Sequence, residues 1–138
     1  MKVQIGTNLR SIASFEKVLR LKRFEAGEKS RKVAEVEQLI RELERMATDL
    51  DLQVMAEEER TKINDPANCA YSTLAQSARR RRDNLRGSAV ALLPKLEAAR
   101  RERDEALEQL EQLAAPTLRK RLEKTVRVGG RKHAKSSV

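Results

Sequence analysis

The densest charge in the chain lies in Arg79-Arg80-Arg81-Arg82 and Glu57-Glu58-Glu59. An arginine cluster is a binder of phosphate or carboxylate, and neighbouring carboxylates can share a proton or hold a cation. The glutamates do not make such a pair. Consecutive residues of a helix diverge around its axis, so Glu57, Glu58 and Glu59 read as a solvated face. The arginine run has no aromatic side chain near it for base stacking except Tyr71. His133 is the only histidine and sits in the final basic segment, which leaves histidine acid–base or metal chemistry without support. Cys69 is the only cysteine, so no internal disulfide can form and a reducing compartment fits. No Gly-x-x-x-x-Gly-Lys-[Ser/Thr] loop occurs. The expectation is a chain with no catalytic, cofactor-binding or metal-binding residues, and not an enzyme.

The elements that carry these residues are legible as two heptad stripes. The first is Phe15, Leu19, Lys22, Ala26, Lys29, Val33, Val36, Ile40, Leu43, Ala47, Leu50, Val54 and Glu57. The second is Tyr71, Ala75, Ala78, Arg82, Leu85, Ala89, Leu92, Leu96, Ala99, Arg103, Ala106, Leu110 and Leu113. Ten of 13 positions in the first and 11 of 13 in the second are apolar, a 3.5-residue repeat that specifies helices wound on a partner helix. The one turn between them, Asn64-Asp65-Pro66-Ala67-Asn68, predicts an all-α, long two-helix antiparallel coiled-coil hairpin. Aromatics are only 2% and charged residues 37%, which suits a thin seam under a solvated surface. Pairing numbers that sum to 132 puts seam residue against seam residue: Val54 with Ala78, Leu43 with Ala89, Val33 with Ala99. A slip of one heptad keeps the same phase. In this register Arg82 faces Leu50 with Asp49 and Asp51 beside it, so the arginine run is neutralised locally.

The expected organisation is a loose arm over 1–13, a hairpin over 14–117 with its turn about 63–70, and a basic, partly disordered C-terminal tail over 118–138. Ser14 is the predicted N-cap of the first helix. Asp65-Pro66 signals the turn, and the second helix is expected to start between Asp65 and Ser72. Pro94 falls inside the second stripe, where lost hydrogen bonding predicts a kink and not a helix end. Pro116 predicts a break, and Gly129-Gly130 the end of any continuation.

Charge is uneven. Residues 1–32 hold nine Lys/Arg and three acids, and residues 118–138 hold eight and one. Residues 33–117 hold 13 Lys/Arg against 17 acids. A hairpin brings the two basic segments together at its open end, where an acidic protein, nucleic acid or an anionic membrane would be attracted. No run of 18 apolar residues predicts a membrane span.

Three blocks resemble the FliJ-like flagellar export proteins in their alphaproteobacterial form. They are Leu19-Arg20-Leu21-Lys22-Arg23-Phe24 with Glu28-Lys29-Ser30-Arg31-Lys32-Val33; the run from Leu43 to Arg60; and Asp65-Pro66 with Ala70-Tyr71-Ser72-Thr73 and Arg80-Arg81-Arg82-Asp83-Asn84-Leu85. The resemblance implies a cytoplasmic, non-enzymatic stalk or adaptor of flagellar type III export, peripheral at the base of the flagellum. It implies contact with the hexameric export ATPase, the cytoplasmic domain of the export gate and export chaperones, and with the membrane through these partners only. Lys17, Arg20, Lys22, Arg23, Arg119, Lys120 and Arg121 are then the expected ATPase contacts at the open end. Met46, Asp49, Val54, Tyr71, Arg79, Arg80, Arg81 and Arg82 are the expected gate contacts at the hairpin tip. Pro94 and the basic tail are not part of the pattern, and Cys69 stands where an aromatic is expected. The other readings are a basic coiled coil that binds nucleic acid or ribosomes, and the equivalent stalk of a virulence-type secretion system.

Overall fold

A computed structural model describes the backbone of residues 2–136 and the side chains of residues 10–115. Two helices account for it: α1 over Lys2–Thr61 and α2 over Thr73–Ser136. They pack antiparallel, as the double stripe predicts. The chain divides into two compact units, residues 1–30 with 101–138, and residues 31–100.

The unit of residues 31–100 holds the turn and the better part of the core. Val33, Ile40, Ala89, Leu96 and Ala99 form one buried cluster, with Val36, Leu43 and Leu92 packed against it. Leu50, Val54 and Ala78 form a second, joined by Leu85. These memberships fit the register in which Val33 meets Ala99 and Val54 meets Ala78; a one-heptad slip would set Val33 far from Ala99. Polar pairs crossing the seam agree, since Arg82 Nη1 reaches Asp51 at 2.8 Å, one residue beyond its expected neighbour Leu50. Among the described residues of both units, half of the buried apolar ones are alanines, with Ala47 and Ala75 each only 1% exposed. Small residues let the helix backbones approach closely, but each buries little area, so the seam is tight rather than large.

The unit of residues 1–30 and 101–138 is held by fewer large side chains. Ala26 is its buried apolar residue among those described, flanked by half-buried Phe15, Leu19, Ala106, Leu110 and Leu113. Lys29 Nζ meets Glu102 at 3.0 Å, and Lys22 Nζ donates to Glu25 (3.3 Å) and Gln109 (3.5 Å). Both lysines occupy seam positions. Their stems cover the seam while their heads turn out to the flank.

Several expected boundaries are corrected. α1 begins at Lys2, so residues 2–13 are helical and not a loose arm, and Ser14 lies inside the helix. The apolar spacing repeats backwards at Ile12 and Ile5, with Asn8 between them, although Ile12 is exposed and does not join the packed seam. At Pro94 the expectation that the helix does not end holds, since α2 passes through it. Its place on the heptad is the outermost one, opposite the seam, and its side chain is exposed. A single lost hydrogen bond there does not disturb the packed face. The helix also continues through Pro116 and Gly129-Gly130 to Ser136. Strong helix formers, Leu118 to Lys124, follow the proline after Thr117. The side chains of the basic tail lie outside the described residues.

The turn is longer than 63–70 and ends in a cap. Asp65 accepts at its backbone oxygen from Asn68 N (3.1 Å) and at Oδ1 from Ala67 N (3.0 Å). Asn68 repeats the pattern, accepting from Tyr71 N (3.0 Å) at its backbone and from Ala70 N (2.9 Å) at Oδ1. Two such turns in series satisfy backbone groups that a helix would otherwise pair. Ser72 then caps α2, its Oγ accepting from Ala75 N at 3.3 Å. Pro66 therefore belongs to the turn and does not start the helix. Lys62 leaves α1 with φ 58°, a left-handed exit that glycine usually provides.

Candidate functional site

The most developed polar structure is at the turn end of the unit of residues 31–100. Tyr71 is buried, and its hydroxyl donates to Glu58 Oε1 at 2.8 Å. Arg79 Nη2 donates to the same oxygen at 3.0 Å, and its guanidinium lies 5.7 Å from the centre of the Tyr71 ring. Arg79 Nε is buried with no hydrogen-bond partner among the described residues. Glu57 is held by Arg60, one turn further along α1, and by Ser72 Oγ, which donates to Oε1 at 2.9 Å. Ser72 thus ties the start of α2 to the end of α1 while capping its own helix. One heptad further, Asp51 receives Arg82 and Arg86.

These bonds favour the charged carboxylates. Arg82 lowers the pKa of Asp51, Arg60 and then Ser72 lower that of Glu57, and the Tyr71 hydroxyl followed by Arg79 lowers that of Glu58. Tyr71 moves the other way, raised first by burial and then by its bond to Glu58. Carboxylates with depressed folded pKa values add stability above their unfolded values and lose it as pH falls through the folded ones. The expected outcome is a thermal midpoint steady near neutrality that drops once the pH goes below about 4. Glu58→Gln should flatten part of that drop. A midpoint in the wild-type chain unchanged between pH 7 and pH 3 would show that these bonds do not stabilise the fold.

Structure redistributes the expected tip contacts. Val54 and Tyr71 are buried. Both belong to the heptad stripes and pack the seam, so neither is offered to a partner; this corrects their assignment. Arg79 and Arg82 are half-buried, with Arg79 on Glu58 and Arg82 on Asp51 and Asp83. Asp49 is exposed and does not pair with Arg82. The surface left from that set is Met46, Asp49, Arg80 and Arg81, all exposed. Arg80 and Arg81 make no hydrogen bond or ion pair among the described residues, so local neutralisation covers only half of the arginine run.

In the other unit, Lys17, Arg20 and Arg23 are exposed, whereas Lys22 lies over the seam with its head on Glu25 and Gln109 at the flank. Lys22 is thereby corrected from a free contact to a packed one. The side chains of Arg119, Lys120 and Arg121 lie outside the described residues. Sequence reasoning missed the apolar company of the basic residues: Leu21 and Phe24 are exposed on the same stretch, Phe24 by 63%. The signal was available, because neither residue belongs to the stripe. Cys69 is exposed and free, and no group of three or more metal-ligating side chains occurs among the described residues. No described helix is long and apolar enough to cross a membrane.

The fold and site define a class, an antiparallel two-helix coiled coil with charged flanks. Comparison against family models, curated proteins and solved structures gives no match.

Proposed function

We propose that this chain is a non-enzymatic stalk and adaptor of flagellar type III export, placed in the cytoplasm at the base of the flagellum. In this reading it links the export ATPase ring to the cytoplasmic domain of the export gate and to export chaperones. The observation that carries it is the position of the three FliJ-like blocks, which fall in order along α1, the turn and the start of α2 of an antiparallel helix pair. Charge supports a division of labour. Residues 1–30 and 101–138 hold 17 Lys/Arg against nine acids, while residues 31–100 hold 13 against 12. The basic unit is suited to an acidic face of the ATPase ring, and the balanced unit to the gate.

A clean deletion in the bacterium that encodes this chain tests the assignment. The expected result is loss of most filament-protein secretion and of swimming, with the export ATPase still made and complementation restoring both. Normal flagella in the deletion strain would overturn it. Nucleic-acid binding is kept as a second reading by exposed Arg80 and Arg81. A gel shift that weakens steeply with salt would favour it.

A further inference from the structure

One flank of the seam in residues 31–100 is a ladder of charge. On α1 the residues beside the seam at intervals of seven are Glu37, Glu44, Asp51 and Glu58; on α2 they are Arg79, Arg86, Leu93 and Arg100. Three rungs cross between the helices. Glu58 pairs with Arg79 at 3.0 Å, Asp51 pairs with Arg86, and Glu37 pairs with Arg100 at 3.2 Å. The fourth rung is missing, because Leu93 stands where the pattern calls for an arginine. Glu44 makes no side-chain hydrogen bond or ion pair among the described residues.

The missing rung leaves an open notch of about 420 Å³, lined by Glu44, Thr48, Arg86, Ala89, Val90 and Leu93. Its two helices meet at buried Ala89, and Leu93 and Val90 stand 48% and 64% exposed. An unpaired carboxylate therefore sits beside an exposed apolar patch, between rungs that are satisfied. A third helix laid against a helix pair contacts these flank positions, as in three-stranded coiled coils.

We infer that the notch docks a basic amphipathic helix of a partner protein, whose Lys or Arg completes the rung to Glu44 while an apolar residue one turn away covers Leu93 and Val90. The charge argument selects the occupant. Arg86, the other charged lining residue, is already held by Asp51, so an acidic segment would face the unpaired Glu44 with like charge, and a wholly apolar one would cover the carboxylate without pairing it. The inference does not depend on the flagellar reading. It also predicts what the chain could do for itself: Leu93→Arg would supply the absent rung from within and close the notch.

The probe is a fluorescein-labelled stapled helical peptide with the pattern Leu-x-x-x-Arg-x-x-Leu, titrated against the full-length chain by anisotropy. A control peptide carries Glu in place of Arg. Because the chain has a net charge of +9, general attraction does not draw a basic peptide to it. The expected result is binding of the Arg peptide only, weakened at least about tenfold by Glu44→Gln and by Leu93→Arg, with Leu93→Arg also raising the thermal midpoint. Glu44→Gln changes an exposed residue and keeps the test valid if Leu93→Arg folds poorly. Failure of the wild-type chain to bind the Arg peptide overturns the inference, as does equal binding by Glu44→Gln or equal binding of the Glu peptide. If sedimentation shows a wild-type dimer that Leu93→Arg dissolves, the notch belongs to a second copy, and the inference is likewise overturned.

Discussion

Ile40→Asp is expected to unfold the unit of residues 31–100, with a large loss of helical circular dichroism at room temperature. Ile40 is 7% exposed and lies in the buried cluster with Val33, Ala89, Leu96 and Ala99. A carboxylate there has no basic neighbour within the cluster and must be desolvated or protonated. The penalty on top of lost apolar burial is about 3–5 kcal/mol. A seam built half from alanine has little reserve to absorb it, because the other layers contribute small areas. Leu39→Asp is the internal control. It changes the adjacent residue on the same helix, but Leu39 is exposed on the flank of the seam, so its urea midpoint should scarcely move. Equal behaviour of the two variants would mean that the heptad stripe is not the core.

The seam was legible because its signal is repeated. Every stripe residue with a described side chain is buried or half-buried, including Lys22, Lys29, Arg82 and Arg103, where the repeat outweighs the polarity of the residue. The helix ends were less legible because they rest on single residues. Ser14, Pro116 and Gly129-Gly130 are local signals, and the helices run through all three. Lys62 ends α1 in a conformation that no sequence signal announces, lysine being an uncommon choice for a left-handed exit. The misassigned site residues follow from one inconsistency. The heptad stripe itself places Val54 and Tyr71 inside, which is at odds with their expected contact to a partner. The charge ladder was available in the spacing of Glu37, Glu44, Asp51 and Glu58 against Arg79, Arg86 and Arg100. It needed the register to be known before the acids could be set opposite the arginines.

The second large effect is on partner choice. In the proposed reading the basic unit meets the ATPase ring, and the unit of residues 31–100 meets the gate. Reversing Arg20, Arg23, Arg119 and Arg121 to Glu removes the excess positive charge of the basic unit, since 17 Lys/Arg against nine acids becomes 13 against 13. Arg20 and Arg23 are exposed and pair with nothing among the described residues, so the change leaves the seam in place. Charge of this kind acts chiefly on encounter, and the association rate with the ATPase should fall roughly tenfold or more at low salt. Screening should shrink the difference as salt rises, because exposed charges lose their reach beyond the Debye length. Binding to the cytoplasmic domain of the gate should be unchanged. Arg80→Glu with Arg81→Glu should do the opposite, because both side chains are exposed on the other unit and free of internal pairing. If that pair abolishes ATPase binding while the four-residue reversal leaves it intact, the two units have exchanged roles, and the charge asymmetry is not what directs the chain to the ring.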